Sequence, residues 1–126
     1  MLDTYKSVRT FISTVKRLVR EQKFHPVSTK KNKRFKGLYH WRNNDIGHTL
    51  MKLASNHRLE GPNEETRADK PPGTVYVFIV PEEIDGELKN LYVKLKIPDE
   101  NPERLIILSF HEEGDFDDKD FVLPGV

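Results

Sequence analysis

Residues 91–97, Leu91-Tyr92-Val93-Lys94-Leu95-Lys96-Ile97, alternate apolar and polar side chains without a break. Successive side chains on a strand point to opposite faces. The pattern therefore assigns Leu91, Val93, Leu95 and Ile97 to a core, and Tyr92, Lys94 and Lys96 to an open face. One buried and one open face is the signature of an antiparallel sheet covered on a single side. Working outward, 74–80 (Thr-Val-Tyr-Val-Phe-Ile-Val), 88–97 and 104–111 read as three successive strands. The connections 81–86 and 98–103 are short enough for hairpins, so the pairing is expected to be antiparallel. In the last strand Ile106, Leu108 and Phe110 form the bulkier apolar set and are assigned to the core. That sends Leu105, Ile107, Ser109 and His111 to the open face, with Tyr92 roughly opposite Ser109 and His111 diagonal to it. Residues 121–123 fit a short edge strand after an acidic linker, 112–120.

Upstream the period changes. Val8, Phe11, Ile12, Val15, Leu18 and Val19 recur at helical spacing, which predicts an amphipathic helix over 5–22. Asp3 or Thr4 can cap its start and Pro26 forbids its continuation. A shorter helix is predicted over 44–56, capped by Asn43 or Asn44, with Ile46, Leu50, Leu53 and Ala54 inward. Gly47 costs it about 1 kcal/mol relative to alanine. Between them, 28–36 (Ser-Thr-Lys-Lys-Asn-Lys-Arg-Phe-Lys) reads as a basic loop or irregular strand anchored by Phe35 and Leu38, and 60–73 as a long polar loop. The expected architecture is a single α+β domain over 1–126. Two N-terminal helical segments pack on one face of a three- to four-stranded antiparallel sheet, and 112–126 forms an acidic C-terminal tail.

Composition narrows the functions this fold could carry. Of 126 residues, 36% are hydrophobic and 33% charged, so the core is small and the surface large. No stretch approaches the roughly 20 apolar residues that cross a bilayer. Lys6, Arg9, Lys16 and Arg17 interrupt any secretory pattern at the N-terminus. The absence of cysteine excludes disulfides, thiolate nucleophiles and cysteine-ligated zinc. A cytoplasmic protein without a membrane partner is the expectation. The net charge of +1 conceals a gradient. Residues 1–36 carry eleven Lys and Arg against Asp3 and Glu21, whereas 97–126 carry nine Asp and Glu against Arg104 and Lys119. A basic half suits a nucleic acid or an acidic protein partner. It can equally neutralise the acidic tail of its own chain.

The open face carries a phenol, two ammonium groups, a hydroxyl and an imidazole. These are the groups that metal-free RNA cleavage requires. A 2′-hydroxyl must lose a proton, the phosphorane needs positive charge, and the departing 5′-oxygen needs a proton. Tyr92, Lys94, Lys96 and His111 are accordingly the candidate catalytic residues, and Lys30, Lys31, Lys33 and Arg34 the candidate RNA-binding set. Alternating Lys and Leu is also what any half-exposed strand shows. The other histidines, His25, His40, His48 and His57, form no metal-ligand spacing with one another or with His111, so neither metal nor cofactor is expected. No glycine-rich phosphate loop and no Gly-x-Ser-x-Gly elbow occurs. Tyr39, His40 and Trp41 could stack on a base, although an aromatic cluster before a helix more often packs.

The run 91–97, followed by Leu108-Ser109-Phe110-His111-Glu112, resembles the closing strands of MqsR-type toxins, within the RelE-like and barnase-like group of ribonuclease folds. Gly61-Pro62, Pro72-Gly73 with Tyr76-Val77-Phe78, and Phe11-Ile12 with Lys16-Arg17-Leu18-Val19 match further family positions. The resemblance spans roughly 11–113 and is dense only in the last two strands. It implies a RelE-like fold and the toxin of a type II toxin–antitoxin system: an endoribonuclease that cleaves mRNA and is silenced by a protein antitoxin. It also implies that Tyr92 is the active-site tyrosine. Where relatives carry a lysine this chain has Glu60, and where they carry a polar residue it has Val77. A non-catalytic RNA- or protein-binding domain of the same fold is the alternative those departures suggest.

Overall fold

The computed structural model describes residues 3–65 and 70–114. Strand β4 (Glu87–Pro98) lies at the centre of the sheet, and Leu91, Val93, Leu95 and Ile97 are fully buried, as the alternation requires. It forms a long antiparallel hairpin with β3 (Gly73–Ile84) through Asp85 and Gly86. Both turn residues have positive φ, 53° and 81°, which matches the right-handed strand twist. Hence Pro81, expected in the connection, is already part of β3. On the other side β5 (Leu105–Glu112) pairs antiparallel with β4.

Two further strands correct the expected three- to four-stranded antiparallel sheet. Residues Phe24–Pro26 form β1, which pairs parallel with β5, and Arg58–Glu64 form β2, which pairs antiparallel with β3. The sheet is thus five-stranded and mixed, in the order β1-β5-β4-β3-β2. The first part of the expected polar loop 60–73 is therefore strand. Its Gly61, at φ 111°, lets β2 close on β3: a Cβ there would lie 2.8 Å from both the Tyr76 ring and the Val75 carbonyl oxygen. The expected edge strand at 121–123 and most of the acidic tail lie outside the described residues.

Three helices, rather than two, cover one face of the sheet. In α1 (Val8–Arg20) the predicted stripe is buried through Phe11, Ile12, Val15, Leu18 and Val19. Its cap is Ser7, whose hydroxyl accepts from Thr10 N, because residues 3–6 form a separate 3₁₀ turn. It ends at Glu21–Gln22, where Gln22 takes φ 58°, before Pro26 can matter. Phe11 packs on Tyr76 at 4.4 Å between ring centroids, and the Tyr76 hydroxyl donates to the Tyr5 carbonyl at 2.7 Å. Helix α3 (Asn43–Leu50) starts at Arg42, with the Asp45 carboxylate accepting from Arg42 N at 2.8 Å, and is shorter than expected. Gly47 has a packing reason: a Cβ there would stand 3.2 Å from Val19 and 3.4 Å from the Phe24 ring, so glycine permits α3 to approach α1 and β1.

The third helix is the expected basic loop. Residues Lys30–Tyr39 form α2, capped by Thr29, whose hydroxyl accepts from Asn32 N at 3.1 Å. Its inward positions are Asn32 and Phe35, with Tyr39 partly covered. Leu38, assigned as an anchor, is 64% exposed. Part of the charge gradient is neutralised within the fold, since Arg17 makes a two-point contact with Glu103 at 2.6 and 3.0 Å, joined by Lys23 at 3.5 Å.

Candidate functional site

The open face of β4 and β5 is shaped by a bulge. Lys94 pairs with Ser109 but Leu95 pairs with Ile107, so Leu108 has no opposite number. An extra residue on one strand reverses the face on which the following side chains emerge. Leu105 and Ile107 are consequently buried in the core, the reverse of the sequence assignment, and Phe110 still reaches the core two positions after the bulge. Ile106 faces the other way, beside Lys96. Ser109 and His111 do reach the open face, one pair further along than expected. Tyr92 is opposite His111, and Lys94 is opposite Ser109.

Asn32 holds that bulge. Its side chain is 4% exposed. Its Nδ2 donates to the carbonyls of Val27 (2.8 Å) and Leu108 (3.2 Å), and its Oδ1 accepts from Phe110 N (2.9 Å). Strand β1 covers β5 only as far as Ile107, so Asn32 takes over the edge groups that β1 leaves unpaired. The start of α2 is thereby fastened to the edge of β5, and Thr29 and Lys31 reach the open face.

The result is a concavity of about 330 Å³ lined by Lys31, Tyr92, Lys94, Ser109 and His111, with Thr29 and Gly114 at its rim. The Tyr92 and His111 rings stack at 5.4 Å and 15°. His111 is 5% exposed, and its Nδ1 lies 2.9 Å from the Glu112 carbonyl oxygen. A carbonyl only accepts, so Nδ1 carries the hydrogen and the neutral ring keeps its lone pair on Nε2. Burial, with the Glu60 carboxylate second, holds the Tyr92 phenol above its usual range, so at neutral pH it is a proton donor. Glu60, Val77, Lys94 and Ser109 form one register row across four strands. Glu60 and Val77 thus share a row with the site, Glu60 as an exposed carboxylate and Val77 as a buried side chain between it and Lys94.

Lys96 is placed apart. It is 2% exposed, donates to the Pro71 carbonyl and lies 3.6 Å from the Glu65 carboxylate, so it ties β4 to the segments flanking residues 66–69. The two lysines are therefore expected to separate in stability measurements. Lys96→Ala removes a buried hydrogen bond to a carbonyl together with an ion pair to a largely covered carboxylate, and should cost about 1–3 kcal/mol. Lys94→Ala, on the half-exposed face, should stay within about 0.5 kcal/mol of the parent. Urea denaturation of the two single variants checks this, and equal midpoints would dismiss the structural role of Lys96.

Only Lys31 of the expected basic set lines the concavity. Lys30 is exposed, Lys33 borders a separate groove with Lys36, and Arg34 lies beside Tyr39 and Glu112 on the other side of α2. A helix distributes four neighbouring cations around its axis, whereas a loop would let them converge. Tyr39 and Trp41 pack on Phe35, and Trp41 also meets Phe110, so their role is in the core. The Tyr39 hydroxyl donates to Glu112. Thr29 and Asn32 were missed by sequence reasoning; the Thr29-x-x-Asn32 cap spacing was the available signal. Among the described residues no helix is long and apolar enough to cross a membrane, and no cluster of three His, Asp or Glu is arranged to hold a metal ion. No protein family, curated protein or solved structure matches this chain.

Proposed function

We propose that the chain is a metal-independent endoribonuclease of the RelE-like kind, a cytoplasmic toxin that cleaves mRNA and is restrained by a protein antitoxin. The observation that carries this reading is the stacked Tyr92–His111 pair in a concavity that also holds Lys31 and Lys94. His111 Nε2 takes the proton of the 2′-hydroxyl, whose oxygen attacks the adjacent phosphorus. Lys94 and Lys31 stabilise the equatorial oxygens of the phosphorane. The P–O5′ bond breaks and the Tyr92 hydroxyl protonates the departing oxygen. The products are a 2′,3′-cyclic phosphate and a 5′-hydroxyl, and proton exchange with water resets both side chains. Lys96 acts here as a support for β4 and has no part in the chemistry.

Incubation of a single-stranded RNA with the folded protein in EDTA is expected to yield fragments ending in a cyclic phosphate or 3′-phosphate. Activity that disappears in EDTA and returns with Mg²⁺ or Mn²⁺ would refute the mechanism. Glu60 and Val77 support a second reading, a non-catalytic RNA- or protein-binding domain, because they place a carboxylate and an apolar side chain where a cation and a polar group would help a phosphate. Binding of the same RNA without cleavage selects that reading.

A further inference from the structure

The helical side of the molecule carries a second basic feature. Helix α1 contains no acidic residue, and Arg9, Ser13, Lys16 and Arg20 follow one another at i, i+4, i+7 and i+11 along a single stripe. At 1.5 Å per residue this stripe is about 16 Å long. Arg17, off the stripe, is engaged by Glu21 and Glu103, whereas Arg9, Lys16 and Arg20 meet no partner among the described residues. Between the stripe and the chain leaving α3 runs a groove of about 420 Å³, lined by Arg9, Ile12, Ser13, Lys16, Leu53 and Ser55. The remaining lining residue is Ala54, so among the described residues no carboxylate enters the groove. Lys52, next to it, is paired with Glu82 at 2.8 Å.

We infer that this groove docks an acidic, amphipathic segment of a partner protein, seating an apolar side chain against Ile12 and Leu53 while its carboxylates meet Arg9 and Lys16. Cations with no counter-charge among the described residues select an acidic partner. The apolar floor selects a peptide over a nucleic acid, since among the described residues no aromatic side chain lines the groove to stack a base. The inference does not depend on the ribonuclease reading, because Lys31, Tyr92, Lys94 and His111 line a different concavity.

The test uses the full chain and three fluorescent probes of equal length: a peptide of glutamate with leucine at every third or fourth position, polyglutamate, and oligouridylate. The Glu/Leu peptide is expected to bind at least tenfold more tightly than either other probe. R9E/K16E should weaken it by tenfold or more with unchanged circular dichroism and melting temperature, and K31A/K94A should leave it unaltered. Equal binding of polyglutamate, tighter binding of oligouridylate, no peptide binding, or indifference to R9E/K16E would overturn the proposal. Removal of residues 115–126 that raises peptide affinity tenfold would also overturn it, by making the chain's own acidic segment the occupant.

Discussion

Replacing Asn32 with alanine is expected to lower stability by about 2–4 kcal/mol, because it strands buried backbone groups that each cost about 1–3 kcal/mol when unpaired. The carbonyl of Leu108 and the N–H of Phe110 depend on that one side chain, whereas the Val27 carbonyl also accepts from Thr29 N at 3.0 Å. Asn32→Asp is expected to fare little better, since a carboxylate accepts from Phe110 N but has no hydrogen for either carbonyl. Thr29→Ala is the control: it loses one cap bond and should cost only about 1 kcal/mol. Denaturant midpoints order the three variants. Amide exchange at residues 108–112 should quicken in Asn32→Ala far more than in Thr29→Ala. A variant lacking the Asn32 amide but as stable as the parent would show that the bulge holds itself.

Tyr92→Phe and His111→Ala are each expected to slow RNA cleavage by about 10²- to 10⁴-fold, the usual worth of a positioned acid or base. Tyr92→Phe keeps the ring that stacks on His111 and removes only the hydroxyl, so its melting temperature should stay near that of the parent. The pH dependence fixes the role. In the proposed mechanism Tyr92 serves in its protonated form, and its phenol is held above the ordinary value of 10.0 by burial and then by Glu60. The parent rate, after subtraction of uncatalysed hydrolysis, should hold to about pH 10 and fall only above it. Glu60→Gln should bring that fall nearer the ordinary phenol value, and Tyr92→Phe should remove the phenol's share of it, leaving only the loss of ammonium charge. The same shift acts on folding: it contributes stability below the unfolded phenol's pKa, and that contribution is lost as pH rises through the folded value. A Tyr92→Phe protein that cleaves at the parent rate would remove the phenol from the mechanism.

What could be read from residues alone follows from how singly each segment's pattern can be phased. The 91–97 alternation admits one assignment of faces, and the α1 stripe fits only a helix, so both are found as expected. Residues 105–108, Leu-Ile-Ile-Leu, are apolar at every position and fit either phase, so only the bulge at Leu108 decides which side chains are buried. Helix α2 was hidden because one of its two buried positions is an asparagine, whose partners lie in β5. Strand β1 is three residues ending in proline, and β2 is interrupted at Gly61-Pro62, so neither shows a strand period. The site was legible as a set of residue types on β4 and β5. Its register, the contribution of Lys31, and the diversion of Lys96 to the segments around 66–69 were set by tertiary contacts.

The bonds from Asn32 to Leu108 and Phe110 bridge 76 and 78 residues of chain, and the parallel pairing of β1 with β5 spans a similar interval. Closing so wide a loop costs entropy before it returns any contact energy, and such closures slow folding. During synthesis the basic N-terminal half, α1 through α3, leaves the ribosome well before the strand that completes it. A nascent chain that has not yet placed β5 has neither His111 nor the edge that fastens α2. The concavity therefore exists only once β5 is in place, and under the proposed function a newborn polypeptide is inert toward nearby transcripts until its sheet is whole.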